Sequence, residues 1–140
     1  MKRDPVFCLD TNVVIFALNR RRPAIGERLT AELQAGAILI IPAIVLFELD
    51  YGIAKSARPA RTRAVLEHFL EAGFERPAFD ADDAREAGEI RAHLERQGAP
   101  IGPFEYLIAA QARRRGAALV TTNAREFARV PRLMVADWEA

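Results

Sequence analysis

A chain of 140 residues has room for one domain of ordinary size, spanning 1–140, and its 51% hydrophobic and 28% charged content suits a soluble globular fold. A single cysteine excludes an internal disulfide framework, and no run approaches the ~18 apolar residues needed to cross a bilayer, so no membrane role is expected. The net charge of +1 does not by itself point to nucleic acid, although arginine outnumbers lysine eighteen to two.

The first expected element is a buried strand, Val6–Leu9, with Cys8 as a reduced core residue. The basic opening Met1-Lys2-Arg3 precedes too short an apolar stretch for a signal peptide, which makes a reducing cytoplasm the expected location. Thr11 or Asn12 is placed to cap a helix running toward Asn19, and Pro23 suits the first turn of a second helix ending near Gly36. Ile38–Ile41 reads as a second strand. Pro42 opens a helix that passes Glu48 and ends near Ala54. A further helix starts at Pro59, with Val65, Leu66, Phe69 and Leu70 inward and Gly73 past its end. Phe74–Phe79 is expected as a third strand.

Asp80 with Asp83 has the form of an N-cap and acidic first turn, ahead of Ala87, Ile90 and Leu94 at helical spacing. Pro103 begins a helix to about Arg115, closed by Gly116. Ala117–Thr121 and Leu133–Val135 complete the strands, before Trp138. Strands alternating with helices predict a three-layer α/β/α sandwich around a mainly parallel sheet. The triplets Arg20-Arg21-Arg22 and Arg113-Arg114-Arg115 are either solvated helix ends or phosphate contacts.

Four acidic positions stand out. Asp10 directly follows a buried strand, where ligands collect in open parallel sheets, although a simple helix cap also accounts for it. Glu48 falls within the apolar stripe Ile41, Ile44, Val45, Leu49 and Ile53, so it needs a partner, either an arginine or a cation. Asp50 points elsewhere as a surface acid. Glu105 stands in a first turn, in register with Ile108, Ala109 and Ala112; the helix dipole alone also favours an acid there. Thr121, Asn123 and Glu126 follow the fourth strand, and Asn123 with Glu126 fits a capping box as well as a pocket. Carboxylates about 4 Å apart repel by roughly 4 kcal/mol at an effective dielectric near 20. A shared pocket of oxygen donors would therefore hold a cation, and without a His or Cys cluster it selects Mg²⁺ or Mn²⁺ over zinc. His68 and His93 lie on separate helices and match no zinc spacing.

These segments together resemble the motifs of PIN-domain nucleases. Leu9-Asp10-Thr11-Asn12-Val13-Val14-Ile15 is similar to the opening motif, and Leu46-Phe47-Glu48-Leu49-Asp50-Tyr51-Gly52 to the second. Ile101-Gly102-Pro103-Phe104-Glu105-Tyr106 resembles the third, and Leu119-Val120-Thr121-Thr122-Asn123-Ala124-Arg125-Glu126 the fourth. The short length and the ending Val135-Ala136-Asp137-Trp138 resemble VapC toxins in particular.

The resemblance implies an Mg²⁺-dependent endoribonuclease, with Mn²⁺ as a possible substitute, acting as the toxin of a toxin–antitoxin pair. It assigns Asp10 and Glu105 as principal metal ligands, Glu48 as the second acid, Asn123 as a catalytic position, and Glu126 as the remaining acidic charge. Thr11 and Thr121 become partners of those ligands or of phosphate. It also implies an RNA substrate, a homodimer and a cognate VapB-like antitoxin that buries a basic side chain in the acidic pocket. Ile25, Leu29 and Phe47 are candidates for those surfaces, with burial in the core as the alternative. Arginines at the mouth would make RNA binding salt-dependent. The family's third acid is usually Asp; Glu105 here leaves open a weakly active or inactive relative that keeps RNA or protein contacts. An aspartyl phosphotransferase is disfavoured because the position two after Asp10 is Asn12.

Overall fold

The computed structural model describes residues 4–139. In chain order the elements are β1 (Val6–Leu9), α1 (Thr11–Asn19), α2 (Pro23–Gln34), β2 (Ile38–Ile40), α3 (Ala43–Ala54) and α4 (Pro59–Leu70). They continue as α5 (Ala81–Arg96), α6 (Pro103–Arg114), β3 (Ala118–Val120), α7 (Ala124–Phe127) and β4 (Met134–Ala136). The four strands form one parallel sheet in the order β2-β1-β3-β4, flanked by helices. β1 sits at its centre, with Cys8 opposite Ile40 on one side and Leu119 on the other.

Central position explains the unbroken apolar sequence of β1: both faces of a helix-covered parallel strand are buried. Cys8, Leu9, Leu119 and Val120 are fully buried in the same core as Val13, Val45, Ile108 and Ala109. Burial pushes the Cys8 thiol up, so it stays an uncharged core group. Among the described residues no helix is long and apolar enough to cross a membrane.

The chain leaves β1 toward β2 on one side and returns to β3 on the other. The strand order therefore reverses between β1 and β3, and in open parallel sheets ligands bind outside the carboxyl ends of the strands at such a reversal. Asp10 and Thr121 each follow one of those two strands.

Several expectations need correction. Phe74–Phe79 forms no strand: Glu75 alone bridges Ile40, donating to Leu39 O at 2.9 Å and accepting from Ile41 N at 2.8 Å. Pro77 has no N–H to extend the ladder, and its carbonyl accepts from Ala43 N instead. Asp10, rather than Thr11 or Asn12, is the N-cap of α1, and Pro42 occupies the N-cap of α3. Val65 is exposed, so the inner face of α4 consists of Leu66 and Leu70 with Phe69 partly covered. The last strand lies one residue later than expected, at Met134–Ala136.

The second arginine triplet is not simply solvated. Arg113 pairs with Glu86 at 2.7 Å, while Arg114 and Arg115 both reach the fully buried Asp83, at 2.7 and 3.0 Å. Asp83 also completes a reciprocal capping box with Asp80. This network clamps α5 to the C-terminal half of α6, the helix that carries Glu105 in its first turn. In the first triplet, Arg22 pairs with Glu139 and lies over the Phe16 ring.

Candidate active site

Asp10 is held from two elements. Its Oδ1 accepts from Thr11 N at 2.8 Å, the local cap of α1, and its Oδ2 accepts from the Thr121 hydroxyl at 2.7 Å. The backbone is tied too, since Asp10 N donates to Val120 O at 3.0 Å. Burial raises the Asp10 carboxyl above its ordinary pKa, and the bonds from Thr121 and Thr11 pull in the opposite direction. Thr121 is itself buried; its hydroxyl also accepts from Asn123 N at 2.9 Å and so shapes the turn into α7.

Glu48 is half-buried on α3, with Oε1 accepting from the Thr11 hydroxyl at 2.7 Å. The arginine pairing considered for it is not observed. Asp50, by contrast, is an exposed acid paired with Arg63, as its position off the stripe indicated.

Glu105 folds back over the start of α6, where Oε2 accepts from Gly102 N at 3.0 Å. Glycine at 102 leaves room for this fold-back: a Cβ would stand 3.3 Å from the Glu105 carboxylate, tight enough that the side chain would have to shift by a few tenths of an ångström. Burial pushes Glu105 up to about 7, reinforced by the Glu126 carboxylate beside it and by the charge of Asp10; the Gly102 amide opposes the rise. Glu126 moves the other way. The Glu105 carboxyl, the Asn123 side-chain amide and the Gly102 N–H all favour its charged form. The two carboxyls therefore titrate as a pair, and burial with a like charge alongside favours the neutral form of Glu105.

Asn123 occupies the N-cap of α7 but makes no side-chain cap; its amide donates to Glu126. The capping-box reading of Asn123 and Glu126 is therefore incorrect, because neither side chain bonds the backbone of this helix start in the reciprocal way. Sequence reasoning missed Gln111. It is fully buried on α6, and its amide donates to Pro77 O and Ala78 O while its carbonyl accepts from Ile44 N. The available signal was a polar residue inside the stripe Ile108, Ala109 and Ala112.

Glu105 thus feels the charges of both Glu126 and Asp10, and Glu48 is linked to Asp10 through Thr11. None of the four has an arginine or lysine salt-bridge partner among the described residues. Among the described residues no three His, Cys, Asp or Glu side chains stand close enough to form a closed ligand set. Each carboxylate is instead drawn to a local donor: Thr11, Thr121, Gly102 or Asn123. Oxygen-only donors, a Glu105 carboxyl pushed up by burial and by like-charged neighbours, and the lack of a salt-bridge partner for these acids among the described residues together fit a hard divalent cation. The hollows lie elsewhere. One of about 740 Å³ runs along α1 and α2 past Phe16 and Phe69, and one of about 410 Å³ between α1, α3 and α4 reaches Glu48 at its edge.

The PIN domain family model matches residues 7–133. The chain is 43% identical over 132 residues to a protein of Shigella flexneri named tRNA(fMet)-specific endonuclease VapC, covering 94% of this chain and 97% of that one. A protein of Salmonella typhimurium with the same name is 40% identical over the same shares. Ribonuclease VapC2 of Rickettsia felis is 35% identical over 96% of this chain and 98% of its own. Among solved structures, VapBC2 from Rickettsia felis bound to a promoter DNA fragment superposes with a TM-score of 0.88 at 34% identity, over 95% of this chain and 98% of that one. DNA-bound VapBC from Salmonella typhimurium gives 0.86 at 40% identity, over 96% and 98%. A family match over residues 7–133, with relatives 35–43% identical along almost the whole chain and solved structures of the same fold, shows that this chain belongs to the PIN-domain family, among its VapC-type toxin ribonucleases.

Proposed function

We propose that the chain hydrolyses RNA phosphodiester bonds with Mg²⁺, or Mn²⁺ in its place, held by Asp10, Glu105 and Glu126, with Glu48 as the further acid. The observation that supports this reading is that the Glu105 carboxyl feels the charges of both Glu126 and Asp10, while among the described residues none of these acids forms a salt bridge and the nearest cation, Arg129, acts on Glu126 only as a neighbouring charge. When bound, the divalent ion neutralises the phosphate, lowers the pKa of the attacking water and stabilises the leaving 3′ oxygen.

The protein's own part is orientation and charge. Thr11 and Thr121 fix Asp10 through separate oxygens, which limits its rotation. Thr11 also holds Glu48 through one oxygen; a carboxylate has about four lone-pair sites, so capacity remains to orient a water. Glu105 and Glu126 would supply the remaining negative charge for the ion beside Asp10. Asn123 steadies Glu126. Products with a 5′ phosphate and a free 3′ hydroxyl follow from the family resemblance.

The relatives named as tRNA(fMet)-specific endonucleases support initiator tRNA as the substrate. The VapBC complexes support a VapB-type antitoxin as partner, and the family resemblance adds a homodimer and a basic antitoxin side chain buried in the acidic pocket. The test is sequencing of RNA ends after expression of the wild type and of Asp10→Ala. New ends that need Asp10 support the assignment; identical ends in both refute it.

A further inference from the structure

Most large apolar side chains of this chain are buried, yet Phe47 is 51% and Phe104 45% exposed. The two rings touch each other across α3 and α6, with centroids 5.4 Å apart and planes inclined at 51°. Each directly precedes an acid of the site, Glu48 on α3 and Glu105 on α6. The ring pair therefore bridges the two helices that carry these acids, one position ahead of each acid along its helix. One turn beyond Phe47, Tyr51 is 60% exposed and carries the Lys55 ammonium 4.6 Å from its ring centroid.

We infer that Phe47 and Phe104 form an aromatic platform that stacks a base of the RNA substrate next to the scissile phosphate. This rests on the acidic-site reading above. Single-stranded RNA is typically bound by aromatic faces for its bases together with cations for its backbone, and α3 presents both in sequence: Phe47, Tyr51, Lys55. A second copy of the chain is the less suitable occupant. Two half-exposed rings offer a small part of the roughly 800 Å² per partner that a stable dimer buries. The exposed aliphatic residues Ile15 and Val65 line the separate groove between α1, α3 and α4, which includes neither phenylalanine.

The platform is tested with Phe47→Leu and Phe104→Leu, which keep an apolar side chain but remove the ring, and with Phe104→Trp, which keeps stacking. All are made on Asp10→Asn so that RNA stays intact, and full-length RNA after incubation reports separately on the acidic-site reading. The probes are a labelled short oligoadenylate and an abasic oligoribonucleotide of equal length, followed by fluorescence anisotropy, with molar mass from light scattering. Each leucine variant is expected to bind oligoadenylate about tenfold more weakly, Phe104→Trp to bind like its parent, and abasic binding and mass to stay unchanged. Undiminished oligoadenylate binding by the leucine variants overturns the proposal. So does an equal loss for the abasic strand, or a fall in mass that marks the pair as a contact between copies.

Discussion

The Thr121 hydroxyl donates to Asp10 Oδ2 at 2.7 Å, joining the ends of β3 and β1 across 111 positions of sequence. Replacing the hydroxyl by a methyl group removes that bond and the acceptor for Asn123 N. Hydrogen bonds to charged groups contribute about 1.5–3 kcal/mol, so Thr121→Val is expected to lose stability of that order in urea denaturation. Outer partners of metal-holding carboxylates matter roughly 10–100-fold for activity, and cleavage should fall within that range while Thr121→Ser recovers most of it.

Glu105→Gln separates function from stability. The amide keeps the shape and can still meet Gly102, but it removes a charge that Glu126 and Asp10 oppose. Without divalent metal at about pH 8, its melting temperature should exceed that of the wild type by a few degrees. Cleavage should drop by more than the roughly 100-fold upper range for an outer partner. A less stable and fully active variant would contradict the assignment.

The same carboxyl sets a pH dependence. Its folded pKa, about 7, lies above the ordinary Glu value of 4.5, so the folded state binds more protons than the unfolded state between those limits. Metal-free stability should therefore decline as pH rises from about 4.5 to 7 and level off above. A divalent cation held as proposed would compete with a proton on this carboxyl, so apparent Mg²⁺ affinity should climb by up to about tenfold per pH unit below 7 and then flatten. Calorimetric titrations at several pH values check both the slope and the plateau.

Asp83 reports on the scaffold. It is fully buried, with Arg114 and Arg115 as partners, and they hold its carboxyl below its usual value against the opposing effect of burial. Removing one member of such a pair costs about 3–5 kcal/mol, so Asp83→Ala should unfold at markedly lower urea. A depressed folded pKa means that this contribution is present above the unfolded pKa and lost as pH falls through the folded one, so wild type and variant should converge in acid.

The parallel sheet was legible because β1 and β3 are short apolar runs, and a strand buried on both faces has no other pattern. Glu48 and Glu105 were legible as acids inside apolar helical stripes. Local backbone detail was harder to see. Pro77 limited the expected third strand to a single bridge, and Asp10 combined a helix cap with a bond to Thr121 that no local spacing reveals. The interaction of Glu105 with Glu126 joins the first turn of α6 to α7, which only the tertiary structure supplies.

The most direct measurement is Mn²⁺ titration followed by electron paramagnetic resonance, on the wild type, Asp10→Asn and Glu105→Gln. Saturable binding in the wild type that each substitution weakens strongly is the expected result. Equal binding by all three proteins, or none by the wild type at neutral pH, would contradict the claim that these carboxylates share a divalent ion.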